Sequence, residues 1–263
     1  MSNLKEQTFI VTGGSSGIGK AIVEQLLELN ANVVNADINE LQIEKNNYLF
    51  VRTDITDLEE VNSLVKETLN KFKKIDGVIN NAGINIPRLL VDGKKQNSEF
   101  ELDLANYNKM MDINVKGTFL ISQQCAREFI KNKKGVIINI SSECGLEGSE
   151  GQGCYAATKA AIYSFTRTWA KELGKYNIRV VGVAPGILEE TGLRTLSYET
   201  ALAYTRGKSI EELRSGYSNV STIPLARSGK LKEVADLVSY LASDNASYIT
   251  GTTINIAGGK TRG

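Results

Sequence analysis

Tyr155 and Lys159 stand four residues apart in the string YAATK, so on a helix both side chains project from one face. A phenol is a poor base near neutrality, since its reference pKa is about 10. An ammonium group close by favours the phenolate and brings it within range of proton exchange with a substrate oxygen. Ser142 comes at the end of the apolar run VIINIS, where its hydroxyl can hydrogen-bond that same oxygen. A YxxxK pair alone is more commonly an exposed i,i+4 pair, so its meaning depends on its company. The absence of histidine limits that company: the chain has none. Ser–His–Asp and Cys–His catalysis, histidine general bases and imidazole metal ligation are all removed, and no metal site is expected. Proton chemistry near neutral pH falls to carboxylates, tyrosine, lysine or cysteine. Cys125, Cys144 and Cys154 form no CxxC pair and read as small packing residues in a reduced protein.

A second group of residues has the chemistry of phosphate binding. TGGSSGIG, at 12–19, lies between an apolar strand candidate and an amphipathic helix candidate. Glycines let the backbone approach a pyrophosphate, and the helix start offers free N–H groups at its positive end. Gly13, Ser15, Ser16, Gly17, Ile18 and Gly19 are therefore candidates for cradling a dinucleotide. Asp37 ends the second strand candidate, eighteen residues after Gly19. An acid there accepts hydrogen bonds from both adenosine ribose hydroxyls and repels a 2′-phosphate. Ser16 is neutral where a base would help NADP, so NAD is the expected cofactor.

The elements that must position these residues follow from the apolar pattern. Strands are expected at 8–12, 32–36, 48–53, 76–80, 135–141, 178–184 and 252–256. Several are continuous β-branched runs, which suits strands covered on both faces. Helices are expected at 17–29, 58–72, 103–132, 155–175 and 230–243, the first with Ile18, Ile22, Leu26 and Leu29 on one stripe. This alternation predicts an α/β fold, a doubly wound parallel sheet with helices on both faces, within one domain spanning 1–263. Segments 84–102 and 186–229 read as insertions at strand ends, where they would form a substrate wall or lid. A net charge of +1 offers no bulk attraction for nucleic acid or an anionic membrane. No apolar run is long enough to span a bilayer, and the opening MSNLKEQTFIVTGG has no signal-peptide pattern, so a cytoplasmic protein is expected.

TGGSSGIG at 12–19, NNAG at 80–83, Asn114 in MDINVKG, Ser142 in NISS, YAATK at 155–159 and PG at 185–186 occur in one order. In order and approximate spacing they resemble the motifs of the short-chain dehydrogenase/reductase family, over essentially the whole chain. The resemblance implies a seven-stranded Rossmann sheet and hydride transfer between a nicotinamide and a hydroxyl or ketone carbon. It implies a tetrad of Asn114, Ser142, Tyr155 and Lys159. Tyr155 would be the acid/base and Ser142 would polarise the carbonyl. Lys159 would hold the nicotinamide ribose and lower the tyrosine's pKa, and Asn114 would anchor a water of the proton relay. Asp54 and Ile55 would lie beside the adenine, Asn81, Ala82 and Gly83 on the adenosine side, and Pro185, Gly186 and Ile187 near the nicotinamide amide. One departure is Thr191, six residues after Pro185 where the family has a threonine about five residues on. The resemblance further implies a homotetramer, with Val115, Ala156, Ala160, Ile162 and Phe165 building subunit contacts and the tail reaching a neighbouring subunit.

APGILEETGLRTLSYETALAYTRG, LLVDGKKQN and the closing AGGKTRG resemble a narrower bacterial group in that family. They imply a polyol or sugar phosphate substrate. A phosphate ester needs fixed positive charge, preferably arginine. Arg88, Arg194, Arg206, Lys208, Lys260 and Arg262 are candidates, each also readable as a solvated surface charge. Glu189 and Glu190 either face polyol hydroxyls or point away. Two other readings stay open: a relative acting on a different polyol, sugar or 3-oxoacyl substrate, and a non-catalytic NAD-binding regulator. The intact tetrad argues against the latter.

Overall fold

The β-branched runs assemble into one parallel sheet. Its strands are β1 (Thr8–Thr12), β2 (Asn32–Asp37), β3 (Tyr48–Arg52), β4 (Gly77–Asn80), β5 (Gly135–Ile140), β6 (Ile178–Pro185) and β7 (Thr253–Ile256). They lie in the order β3-β2-β1-β4-β5-β6-β7. The computed structural model describes residues 4–192, 194–218 and 220–260, so Arg262 lies outside the described residues. The registers set Thr12 opposite Ala36 and Val11 opposite Ile79. Chain direction around the sheet therefore reverses between β1 and β4, the switch point at which such folds open a crevice beyond the strand ends.

The helices are α1 (Gly17–Glu28), α2 (Leu58–Phe72), α3 (Leu104–Met111), α4 (Thr118–Asn132), α5 (Cys144–Glu147), α6 (Gly153–Leu173), α7 (Leu196–Thr205), α8 (Ile210–Ser218) and α9 (Leu231–Ala242). Alternate strand residues feed two apolar layers, as the period of two requires. Phe9, Val11 and Val33 pack with Ile22, Leu26, Val234 and Val238 of α1 and α9. Ile10, Val34, Val78 and Ile137 pack with Leu64, Ile121 and Phe129 of α2 and α4. This is a Rossmann architecture. Helix starts use the expected chemistry: Asp57 accepts from the Glu59 and Glu60 amides, and Asp103 from that of Asn106.

Two features depart from the sequence expectation. The helix expected over 103–132 passes through a π-helical turn, Asp112–Gly117, between α3 and α4. Such a turn adds a residue and re-aims the helix beyond it, and Asn114 sits within it. The segment 186–229, read as an insertion with short helical patches, contains the helices α7 and α8. Ile162 is buried against the sheet while Ala160 is exposed, so Ile162 leaves the stripe expected to meet another subunit. Segments 84–102 and 186–229 are joined: the Tyr204 hydroxyl donates to the Asp92 carboxylate at 2.6 Å, and the Tyr204 ring stacks on Phe100. Hydrogen bonds from Ser98 and Tyr204 hold the Asp92 carboxyl at about 2.

Candidate functional site

A crevice of about 560 Å³ opens at the β1–β4 switch point. Of the residues expected to hold a dinucleotide, Gly13, Ser16, Gly17, Ile18, Asp37, Asp54, Ile55, Asn81, Ala82, Gly83, Tyr155, Lys159, Pro185, Gly186 and Ile187 line it. Gly13 and Gly17 have φ of +65° and +52°, a conformation that L side chains rarely adopt. A Cβ on Gly19 would overlap the Gly13 carbonyl oxygen, so the turn closes only on hydrogen. Ser15 and Gly19 are not among the residues lining the crevice; they build the turn. The Ser15 amide donates to Asp37 at 3.0 Å and its hydroxyl to the Asn39 carbonyl at 2.5 Å. Gly19 is packed under Gly13.

Side-chain hydrogen bonds stitch the strand ends together around this space. The Asn81 amide group donates to the carbonyls of Thr12 and Gly13, both at 3.0 Å. The Thr12 hydroxyl accepts from the backbone amides of Asn81 and Ala82 at 3.0 and 3.1 Å. Asp37 also accepts from the Asn39 amide at 3.0 Å. A carboxylate has about four lone-pair sites, so two backbone donors leave capacity for two ligand hydroxyls. Asp54 accepts from the Thr56 amide and hydroxyl, which hold its carboxyl below the usual range. A tight glycine turn, a helix start and an acid at the end of β2 are a donor and acceptor set that fits a dinucleotide.

Ser142, Tyr155 and Lys159 meet at the same crevice. Ser142 comes from the turn after β5, and the other two come from the first turns of α6. Lys159 is buried, and its Nζ donates to the Ile140 carbonyl at 2.8 Å while lying 5.7 Å from the centre of the Tyr155 ring. Asn114 does not line the crevice; it is a brace behind it. Its side chain accepts from the Ile84 amide at 2.8 Å and donates to the Ile84 carbonyl and the Thr158 hydroxyl at 2.9 and 3.0 Å. It thus ties the segment after NNAG to α6. A Cβ on Gly83 would lie 3.2 Å from Asn114 Oδ1 and 3.6 Å from Lys159 Nζ, which places all three together.

Burial governs the proton affinities here. It brings the Lys159 amine down to about 8, where it remains mostly charged at neutral pH. It also pushes the Tyr155 phenol up, with the Cys144 thiol adding to the rise and the Ser142 hydrogen bond opposing it. The net direction for Tyr155 in the protein alone is upward, opposite to the lowering expected from its spacing to Lys159. Desolvation is the chief cause, and spacing does not encode it.

The polar wall beside these groups contains residues that sequence reasoning missed. Gln152 is buried, accepts from the Cys144 thiol at 3.4 Å and donates to the Tyr198 hydroxyl at 2.9 Å. Tyr198, on α7, lines the crevice. Gln152 precedes Tyr155 by three residues, and that helical spacing was the available signal. Thr191 lines the crevice beside Gly17, where a Cβ on that glycine would be 3.5 Å away. Of the basic candidates among the described residues, only Arg194 lines the crevice, with one guanidinium nitrogen donating to the Leu188 carbonyl at 2.8 Å. Arg88 donates to the Pro87 carbonyl, Arg206 to the Ser149 hydroxyl, and Lys260 pairs with Glu143 at 2.5 Å. Lys208 is exposed. Glu189 lines the crevice but spends one oxygen on the Leu231 amide at the start of α9. Among the described residues no group of three or more His, Cys, Asp or Glu is placed to hold a metal, and no helix is long and apolar enough to cross a membrane.

The model of the short chain dehydrogenase family matches residues 7–201. With the fold and the crevice, this establishes the class: the chain belongs to the short chain dehydrogenase family and is an oxidoreductase. It is 58% identical over 263 residues to a sorbitol-6-phosphate 2-dehydrogenase of Klebsiella pneumoniae, covering 99% of this chain and 98% of that protein. It is 34% identical to a 3-oxoacyl-[acyl-carrier-protein] reductase of Thermotoga maritima, covering 97% and 98%. Among solved structures it resembles the ligand-free aldohexose dehydrogenase of Thermoplasma acidophilum, with a TM-score of 0.83, 26% identity and 98% and 95% of the two chains covered. It also resembles a 3-ketoacyl-(acyl-carrier-protein) reductase of Brucella melitensis complexed with NADH, with a TM-score of 0.82, 27% identity and 98% and 100% covered.

Proposed function

We propose that this enzyme interconverts sorbitol 6-phosphate and fructose 6-phosphate with NAD. The observation that carries the reading is the convergence of Ser142, Tyr155 and Lys159 in the crevice that also contains Asp37 and the glycine turn. The 58% identity to a sorbitol-6-phosphate 2-dehydrogenase supports the choice of substrate. Bound NAD would accept a hydride from the carbinol carbon and return it in the reverse direction. Tyr155 takes the hydroxyl proton as the ketone forms and gives it back to the oxygen in reduction. Ser142 holds that oxygen by a hydrogen bond, and the Lys159 ammonium opposes the burial that keeps Tyr155 protonated. Asn114 keeps Ile84 and α6 in register, with the proton relay behind Lys159 as its further role. Gly13, Ser16, Gly17 and Ile18 hold the pyrophosphate, Asp37 the adenosine ribose, Asp54, Ile55, Asn81, Ala82 and Gly83 the adenosine side, and Pro185, Gly186 and Ile187 the nicotinamide side. The charge of Asp37 selects NAD over NADP.

In this reading the chain is one cofactor-binding domain whose segment 186–229 covers the substrate. It works in the cytoplasm as a homotetramer built on the partly exposed apolar residues of α4 and α6. Reduction of a 3-oxoacyl thioester is the second reading, supported by the 34% relative, but the buried Gln152 and its partner Tyr198 suit hydroxyls better than an acyl chain. NADH absorbance on a panel of sorbitol 6-phosphate, free sorbitol and a 3-oxoacyl thioester tests it. The phosphorylated polyol is expected to give the highest kcat/KM, and equal rates for free sorbitol or a thioester preference would reject the substrate assignment.

A further inference from the structure

The basic side chains near the substrate end of the site use their charges differently. Lys260 is neutralised by Glu143, the neighbour of Ser142. Arg194 is turned back onto the Leu188 carbonyl, and Arg88 onto the Pro87 carbonyl in the field of Asp103. Lys208 is solvated. Arg206, half-buried like Arg88, makes no ion pair among the described residues, and it stands at the C-cap of α7. Its guanidinium is fixed by two neutral acceptors, the Ser149 hydroxyl at 2.9 Å and, more loosely, the Glu150 carbonyl at 3.5 Å. A half-buried cation that is held in place but not neutralised is arranged to receive an anion.

Helix α7 gives this cation its distance from the chemistry. The helix runs along the 149–152 turn. At its start Tyr198 meets Gln152, which touches Cys144, two residues from Ser142. Near its end Thr205 lies where a Cβ on Gly151 would be, and Arg206 follows at its C-cap. Eight residues of helix separate Tyr198 from Arg206, about 12 Å of rise. Helical side chains lean back toward the N-terminus, which shortens that span for a long guanidinium. The charge of Arg206 is felt at the Cys144 thiol, in keeping with that shorter reach. A six-carbon chain reacting near one end and esterified at the other has the matching shape.

We infer that Arg206, presented by α7 and steadied by Ser149, is the specificity residue that binds the phosphate of the substrate. The inference rests on the polyol phosphate reading above and adds the residue responsible. The planar fork suits bidentate contact with phosphate, so lysine is a poor replacement. Its loss removes affinity for the phosphorylated substrate and leaves the unphosphorylated one untouched.

The test compares kcat/KM for sorbitol 6-phosphate and free sorbitol with NAD in wild type, Arg206→Gln, Arg206→Lys and the exposed neighbour Lys208→Gln. Arg206→Gln is expected to lower kcat/KM for the phosphate ester by about tenfold or more, chiefly through KM, with the value for free sorbitol unchanged. Arg206→Lys should fall between, and Lys208→Gln should match wild type. A wild-type preference for the phosphate ester that survives both Arg206 substitutions overturns the assignment of Arg206 while leaving the proposed reaction standing. A wild type that does not prefer the ester overturns the proposed reaction, and the phosphate site with it. If Arg206→Gln does not fold, Arg206→Lys decides by the same ratio.

Discussion

Burial beneath Ile140 lowers the Lys159 amine from 10.5 to about 8, so it is charged near neutrality and loses its proton in mildly alkaline solution. In the unfolded chain the same amine keeps its proton to higher pH. Between about pH 8 and 10 the unfolded state therefore binds more protons, and this group's contribution to stability rises with pH. Below pH 8 both states are protonated and the full cost of burying the charge is present. Relative to Lys159→Met, wild type is expected to gain roughly 2–3 kcal/mol across that window in denaturant unfolding. A constant difference would mean that the amine is solvated. Asp37→Ala is expected to shrink the NAD-over-NADP preference in kcat/KM, and an unchanged ratio would assign selectivity elsewhere. The residue types and spacing of Ser142, Tyr155, Lys159 and the glycine turn made these positions legible in the sequence. The direction of the Tyr155 shift was not legible, because four-residue spacing reports proximity and says nothing of desolvation. Tyr198 was equally hidden: its contact to Gln152 spans 46 residues and leaves no local pattern.

The elements that hold the site were legible where periodicity was strong. All seven strands begin or end within a residue or so of their apolar runs, and the helix after the glycine turn starts at Gly17 as its stripe requires. The π-helical turn around Asn114 was not, since inserting one residue into a helix leaves the apolar period nearly unchanged. The packing of that turn is tight: a Cβ on Gly117 would fall 2.5 Å from Ile55. The turn at Gly19 is tighter, so Gly19→Ala forces a backbone shift and is expected to weaken NADH binding more than it lowers the melting temperature. Normal NADH affinity in that variant would show that the turn can relax. Segment 84–102 and α7 meet through Asp92 and Tyr204, 112 residues apart, which no local sequence pattern announces. Tyr204→Phe is expected to speed amide exchange selectively in α7, and unchanged protection there would remove the clip as a restraint on the segment over the site.

At the scale of the whole molecule, strand order converts scattered residues into one site. Because the strand order reverses between β1 and β4 in a parallel sheet, the ends of β1, β2, β4, β5 and β6 all open on one crevice, with Asp37, Asn81, Ser142 and Pro185 at its walls. The apolar residues left partly exposed on α4 and α6, Phe119 among them, are the surface on which the proposed homotetramer would assemble. Light scattering is expected to return a mass four times that of the chain, and a monomer would reject it. In the proposed mechanism, hydride transfer depends on Tyr155 exchanging a proton with the substrate oxygen. The most direct measurement is the turnover of Tyr155→Phe beside its affinity for NADH. Turnover is expected to fall by about 10²–10⁴ with NADH affinity nearly unchanged. Turnover close to that of wild type would contradict the role of Tyr155.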